Sequence, residues 1–492
     1  PLSEAERIDR ELAAGALEIT NWELKSRHVQ RGNPSYATGE AAFGLLSLFL
    51  RDFSPLHERV ESGIARLQQL PRLLAQSRAF IPNAPAAWTE RAIRDCDGLL
   101  AFLSDGLDRL LAAHPEIANE GERLRSTAGL VARHVEVHRA FLHKRLSANA
   151  SHSVACGEEA LKLLLRRGHF LEWDASAVER YAVEQLSEAE ARLREAAAAL
   201  GEPDWRQALR KLNTIHPTAE NYYARYQEIW DEHQAAAIEH ELLSWPDYPI
   251  RYVPRPDWVR SAAHNLYFLF YRAPAAFDRV PAVDYLVEPV EPEMPPRVQE
   301  RILQSANDSV IKLNHVVHHG GIGHHVQNWH AYRAEPRIGR IAAVDCASRI
   351  ALYCGGTMAE GWACYATSLM EETGFLTPLE QLSERHARVR MAARAIVDVR
   401  LHRGDFDLDQ AAGFYQEHTA MSPQASQAEA VKNSLFPGTG LMYLTGTDQI
   451  RRLRQEISTR EGSRFSLAGF HDRFLSFGSV PVALIARAMR SI

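Results

Sequence analysis

Six histidines fall within sixteen residues: His315, His318, His319, His324, His325 and His330. Imidazole is the commonest protein metal ligand and titrates near physiological pH. Such density, interrupted by Gly320, Gly321 and Gly323, points to metal binding rather than to a polar surface helix. On a regular helix His315 and His319 share a face and could chelate one ion. His318 and His324 are separated by about 600° of rotation at ~100° per residue, so on an unbroken helix they diverge. His318 and His325 share a face but stand ~10 Å apart along the axis, too far for metal–nitrogen bonds of ~2 Å. Spacing alone therefore prefers His315 with His319. Either other pair requires a break or bulge, which the three glycines would permit.

A carboxylate ligand is expected from elsewhere. The strongest candidate is Glu360, in Ala359-Glu360-Gly361-Trp362-Ala363-Cys364-Tyr365, where an acid opens a face of small and apolar residues. Two His and one Glu are the ligand set of a catalytic zinc site with an open position. They are equally the facial triad of a non-haem iron site. Tyr443 could donate a hydrogen bond to an oxyanion. Asp398 and His402, four apart on a helix, could pair and orient a ligand imidazole. Arg394 could clamp a substrate carboxylate. His325 and His330 could support the ligands, while Cys364, Trp329 and Trp362 read as core or cleft wall.

The elements that must position these residues are mostly helices. Apolar spacing close to 3.6 predicts helices over Leu56–Ala79, Ile117–Leu146 and Ala175–Leu200, the last closed by Gly201. Pro217–Leu243 reads as one helix with Pro in its first turn. From Trp245 to Pro296 prolines cluster and short β-rich pieces, Leu266–Tyr271 and Tyr285–Val290, lie between them. The expected organisation is an N-terminal helical lobe over 1–245, a Pro-rich β-containing segment over 246–296, and a metal-binding helical lobe over 297–492. The fold class is mainly α.

The chain has 492 residues, a formal net charge of −6 and 46% hydrophobic residues, which excludes a disordered or collagen-like chain and disfavours a nucleic-acid partner. The longest apolar run, Ala41–Leu50, is about half the ~20 residues a membrane span needs. No secretory signal is expected from the opening residues Pro1-Leu2-Ser3-Glu4-Ala5-Glu6 if the chain is the encoded one, and five cysteines without a CxxC pair suggest a reducing, cytoplasmic setting. No membrane partner is expected, and a homodimer is the default for a soluble enzyme.

Four ordered blocks resemble a bacterial family known as domain of unknown function 885, regarded as gluzincin-like metallopeptidases. They are His318-His319-Gly320-Gly321-Ile322-Gly323-His324-His325-Val326-Gln327, Glu360-Gly361-Trp362-Ala363-Cys364-Tyr365, Arg394 to His402 with Asp398 between them, and Pro437-Gly438-Thr439-Gly440-Leu441-Met442-Tyr443. The resemblance implies a two-lobed helical fold with a deep cleft. It implies His318, His324 and Glu360 as ligands of one divalent ion, zinc first, iron or manganese otherwise. The family pattern has Glu, the presumed general base, where this chain has His319. That imidazole could accept a proton, could be a further ligand, or could mark lost hydrolysis.

The resemblance leads to the expectation of a metal-dependent hydrolase of amide or peptide bonds in a small molecule or short peptide, with His319 and Tyr443 as catalytic groups. The alternative is an iron or manganese oxygenase, lyase or decarboxylase built on the same 2-His-1-carboxylate set. His315, His325, Arg394, Asp398 and His402 are expected to support the ligands or the substrate.

Overall fold

A computed structural model describes residues 2–81, 83–148, 153–264, 274, 276–278, 280, 282–341 and 356–491. Two expectations, the strand at Leu266–Tyr271 and the setting of Cys346 and Cys354, lie outside the described residues. Among the described residues the molecule is mainly helical with one small parallel sheet.

Helical periodicity translated closely into helices. Leu56–Phe80 buries Val60, Ile64, Leu67, Leu70 and Leu74 along one stripe. Ala118–Ala148 packs beside it, and Ala86–Ala101 adds Ala92, Cys96 and Leu99 to the same core. Ala175–Ala199 begins at Asp174, whose carboxylate accepts the Ala177 N–H at 2.7 Å, and is followed by Gly201 at φ 72°. The helix expected from Pro217 starts five residues later, at Tyr222. Asn221 and Thr218 bond each other's backbone instead, the Thr218 N–H reaching Asn221 Oδ1 at 2.7 Å. That local turn competes with helix and wins there.

The Pro-rich segment contributes β1 (Ile250–Pro254) and β2 (Val283–Val287), paired in parallel with Ile250 opposite Val283 and Tyr252 opposite Tyr285. β2 begins two residues before the expected piece and ends earlier. Between the strands, helix Asp257–Ala263 leaves the sheet and inserts Trp258 and Val259 into the core of the helices near the N-terminus.

Packing crosses the boundary expected at residue 245. Ala175–Ala199 lies along Pro378–Arg403, where Val178, Ala182, Leu186 and Ala189 share one core with Leu382, Val389, Ala392 and Ile396. The first helix, Glu4–Lys25, buries Ile8 and Leu12 in the core that holds Trp362 and Phe474. An amphipathic stripe is buried against whichever face complements it, and sequence order does not specify that partner.

One close crossing is set by glycine alone. Helix Ala359–Glu372 meets helix Met442–Glu461 with Gly361 against Gly446. A Cβ on Gly446 would stand 2.9 Å from the Cα of Gly361 and overlap the Thr357 carbonyl. Thr447 closes the crossing by donating its hydroxyl to the Gly361 carbonyl at 3.2 Å. Gly446→Ala is therefore expected to lower stability by about 1–3 kcal/mol through overpacking. Gly413→Ala, exposed inside helix Leu408–Thr419 with nothing near its would-be Cβ, should raise it by ~0.4–1 kcal/mol. Urea titration of both variants checks the contrast.

Candidate metal centre

The histidine segment is a helix that breaks twice. Val310–His319 is wound in the wide, i to i+5 pattern, and the Gly320 N–H bonds the His315 carbonyl at 3.1 Å. Such bulges gather at functional sites because they re-aim side chains. At Gly320 the backbone turns out of the helix (φ −88°, ψ −143°), and at Gly323 it does so again (φ −75°, ψ −132°). Gly321 between them takes φ 33°. A Cβ at Gly321 would overlap the His233 imidazole, and one at Gly323 would overlap the His318 carbonyl. The reversal thus needs glycine for close approach as well as for its dihedrals. Buried His233 holds it by accepting the Ile322 N–H on Nε2 at 3.1 Å. Burial and the Lys312 charge lower the His233 pKa to about 3, so the ring is a neutral acceptor at pH 7.

The consequence is that His318 and His324 converge. Their ring centroids are 4.9 Å apart. Glu360, at the first turn of its helix, places Oε2 3.3 Å from His318 Nε2 and 3.7 Å from His324 Nε2. The three ligating atoms lie within 4.8 Å of one another, and the side chains are only 14, 12 and 15% exposed. Metal bonds of ~2.0–2.2 Å at a tetrahedral angle put ligand atoms roughly 3.3 Å apart, close to what is found. Burial raises the Glu360 pKa, but hydrogen bonds from both imidazoles outweigh it and hold the carboxylate well below its usual range. Burial lowers the pKa of His318. Two imidazoles and a carboxylate are a donor set for a divalent ion, whose binding would displace the protons between them.

The two motif blocks are tied together directly. Trp362, two residues after Glu360, donates its indole N–H to the Ile322 carbonyl at 2.7 Å, inside the glycine reversal. Gln327 accepts from His324 Nδ1 at 3.2 Å, which leaves Nε2 facing Glu360. The only sequence signal for this role of Gln327 is its spacing of three from His324.

His315 is not part of the cluster, contrary to the preference from regular spacing. Its ring stacks on Tyr226 at 5.7 Å and its Nδ1 lies 2.9 Å from the Tyr226 hydroxyl. The bulge after it turns His318 and His319, and not His315, toward Glu360. His319 lies beside both ligands, with centroids 4.8 Å from His318 and 5.8 Å from His324, and its Nδ1 is 3.4 Å from the Tyr285 hydroxyl. His325 points the other way, donating Nε2–H to the Tyr248 carbonyl at 2.7 Å and stacking on that ring.

Asp398 and His402 pair as their spacing allows, Asp398 Oδ1 lying 3.5 Å from His402 Nε2, and they act on a turn rather than on an imidazole ligand. Asp398 accepts the N–H groups of Gly438 at 3.0 Å and Leu441 at 3.1 Å. His402 donates to the Asn433 carbonyl at 3.1 Å, and His169 holds the Gly438 carbonyl at 2.6 Å. Together they fix the turn from which Tyr443 enters the site. Tyr443 is kept protonated by burial and the nearby Glu360 charge, which raise its pKa. Arg394 stacks on that ring at 4.8 Å and pairs with Glu429 at 2.7 Å. Tyr443 and Arg394 line, with His318, His319, His324, Gln327 and Glu360, a cavity of about 490 Å³. Arg390 and Lys432, unremarked in the sequence, line it too.

A family model described as bacterial protein of unknown function (DUF885) matches residues 1–489. The chain belongs to the DUF885 family. Among solved structures, this DUF885 protein is similar to a candidate lipoprotein of unknown function from Shewanella oneidensis, with a TM-score of 0.77 and 20% identity over 99% of this chain and 88% of that one. It is also similar to a candidate lipoprotein from Colwellia psychrerythraea, with a TM-score of 0.71 and 18% identity over 88% of this chain and 76% of that one. No curated protein matches the chain.

The cytoplasmic expectation is overturned by these neighbours, since lipoproteins are carried on membranes. It rested on unpaired cysteines. Cys96 and Cys364 are buried packing residues, and burial raises both thiol pKa values, so their reduced state does not report a compartment. Among the described residues no helix is long and apolar enough to cross a membrane.

The geometry separates candidate ligand histidines, His318 and His324, from His315 and His325. Purified protein reconstituted with Zn²⁺ is expected to bind one equivalent by elemental analysis. His318→Ala and Glu360→Ala should abolish this, and Gln327→Ala should weaken it by roughly 10–100-fold. His315→Phe should leave it intact; loss of metal there would return His315 to the ligand set.

Proposed function

We propose that this DUF885 protein is a metal-dependent hydrolase of amide or peptide bonds in a small substrate. The observation that carries the reading is the convergence of His318, His324 and Glu360 on one wall of a cavity that also presents Tyr443 and His319. A divalent ion held by the three ligands, zinc first, would supply Lewis acidity and a water of lowered pKa. The two-lobed, gluzincin-like cleft belongs to the same proposal.

The chain's own groups divide the remaining work. His319 is neutral at pH 7, because burial and the neighbouring imidazoles push its pKa well below the usual value. It accepts a proton from the attacking water. The water oxygen bonds the carbonyl carbon, the C–N bond breaks, and the amine departs with the transferred proton. Tyr443 donates its hydroxyl to the oxygen on which negative charge develops. Arg394 positions Tyr443 through its stacked guanidinium, and Glu429 holds Arg394 in place.

One feature favours a second reading. A 2-His-1-carboxylate set with imidazole instead of carboxylate at position 319 suits iron or manganese and non-hydrolytic chemistry on a small molecule.

The test is turnover of a panel of N-acyl amino acids and short peptides by zinc-, manganese- and iron-loaded protein. Hydrolysis is expected, with kcat reduced about 10²–10³-fold in Tyr443→Phe and about 10²–10⁴-fold in His319→Ala. His319→Glu should retain turnover. Oxygen uptake by the iron form without hydrolysis of any member would replace this reading with the second.

A further inference from the structure

The cavity wall formed by helices Pro378–Arg403 and Pro423–Leu435 carries more positive charge than the protein neutralises. Arg390 and Arg394 are four apart on helix Pro378–Arg403 and share a face. Glu429 and Lys432, three apart on helix Pro423–Leu435, meet them. Glu429 is the partner of Arg394 at 2.7 Å. Burial raises its pKa, but Arg394 and Lys432 overcome this and hold it at about 2, so it is fully ionised. Neither Arg390 nor Lys432 makes an ion pair among the described residues, and the buried Nε–H of Arg390 has no hydrogen-bond partner. Glu384, also on the wall, accepts from Thr367 at 3.0 Å, and burial pushes its pKa to about 7, so it offsets the excess only in part.

Glu360 also reaches Lys432, but it is engaged by His318 and His324, so three half-buried cations, Arg390, Arg394 and Lys432, share one remaining ionised carboxylate, Glu429, and such an excess is costly. We infer that Arg390 and Lys432 form a subsite for a carboxylate of the substrate, beside the bond that is cleaved. This rests on the hydrolase reading above. It names the substrate class as N-acyl amino acids or short peptides bearing a free C-terminal carboxylate. The cavity, at about 490 Å³, suits a ligand of that size and holds this wall and the histidine cluster together. Arg394, the cation read from the sequence as the clamp, is engaged by Glu429 and Tyr443, so it positions rather than binds.

The experiment is calorimetric titration of zinc-loaded protein with hippurate, its neutral carboxamide hippuramide, and inorganic phosphate. Hippurate is expected to bind at least tenfold more tightly than hippuramide. Arg390→Met and Lys432→Met should each remove most of that difference while leaving zinc content and circular dichroism unchanged. Arg390→Lys should retain part of it. Equal binding of hippurate and hippuramide, or a difference that survives both Met variants, overturns the subsite. Tighter binding of phosphate than of hippurate overturns its assignment to carboxylates. Carboxylate-dependent binding without hydrolysis of any amide upholds the subsite and defeats the hydrolase reading.

Discussion

Two imidazoles six residues apart can face one point only if the backbone between them leaves the helix, doubles back and returns. Gly320 to Gly323 perform that reversal, and the rest of the site depends on it. The reversal is held from outside by two hydrogen bonds at one residue: His233 accepts the Ile322 N–H, and Trp362 donates to the Ile322 carbonyl. Both groups are buried, so leaving either unmet would cost roughly 1–3 kcal/mol. The Trp362 bond also fixes the start of the helix that carries Glu360. One residue of irregular backbone therefore sets the distance between the imidazoles and the carboxylate.

The remaining wall is built from crossings of small residues and from fixed turns. Gly361 against Gly446 lets two helices approach closely enough to bring Glu360 and Tyr443 to one cavity. Asp398, through Gly438 and Leu441, holds the turn before Tyr443, and Gly438 takes φ 79° there. Such supports lie several residues from the chemistry, yet they decide where its donors stand. Sites placed on packed helices and clamped turns keep their geometry better than sites on loops.

Much of the fold was legible because helical burial is periodic. The stripe over Leu56–Phe80 and the stop of Ala175–Ala199 at Gly201 appeared where the pattern placed them. The helix after Pro217 was overestimated because Thr218 and Asn221 satisfy their own backbone locally. In the site, residue types were readable from the chain, while the grouping of His318, His324 and Glu360 came from the family resemblance and not from spacing. Regular spacing favoured His315 with His319, and it failed because the spacing rule assumes an unbroken helix. Asp398 and His402 looked like supports for an imidazole and proved to support a turn. Arg390 and Lys432 carried no signal, since a charged residue on a helix is ordinarily solvated and only the packing buries these two against a cavity.

The sequence by itself determined the helical class, the presence of a histidine–glycine segment suited to a bulge, and the four blocks that carry the family resemblance. These are local or additive properties: periodicity, composition and the dihedral freedom of glycine are written residue by residue. Only the tertiary structure decided how the backbone brings His318 and His324 to Glu360, which helices cross between the two halves of the chain, and which cations face the cavity. Those outcomes depend on contacts between segments 30 to 300 residues apart, as with Trp362 and Ile322 or Tyr181 and Asp448. Their energies arise from burial and close approach, which exist only once the chain has folded.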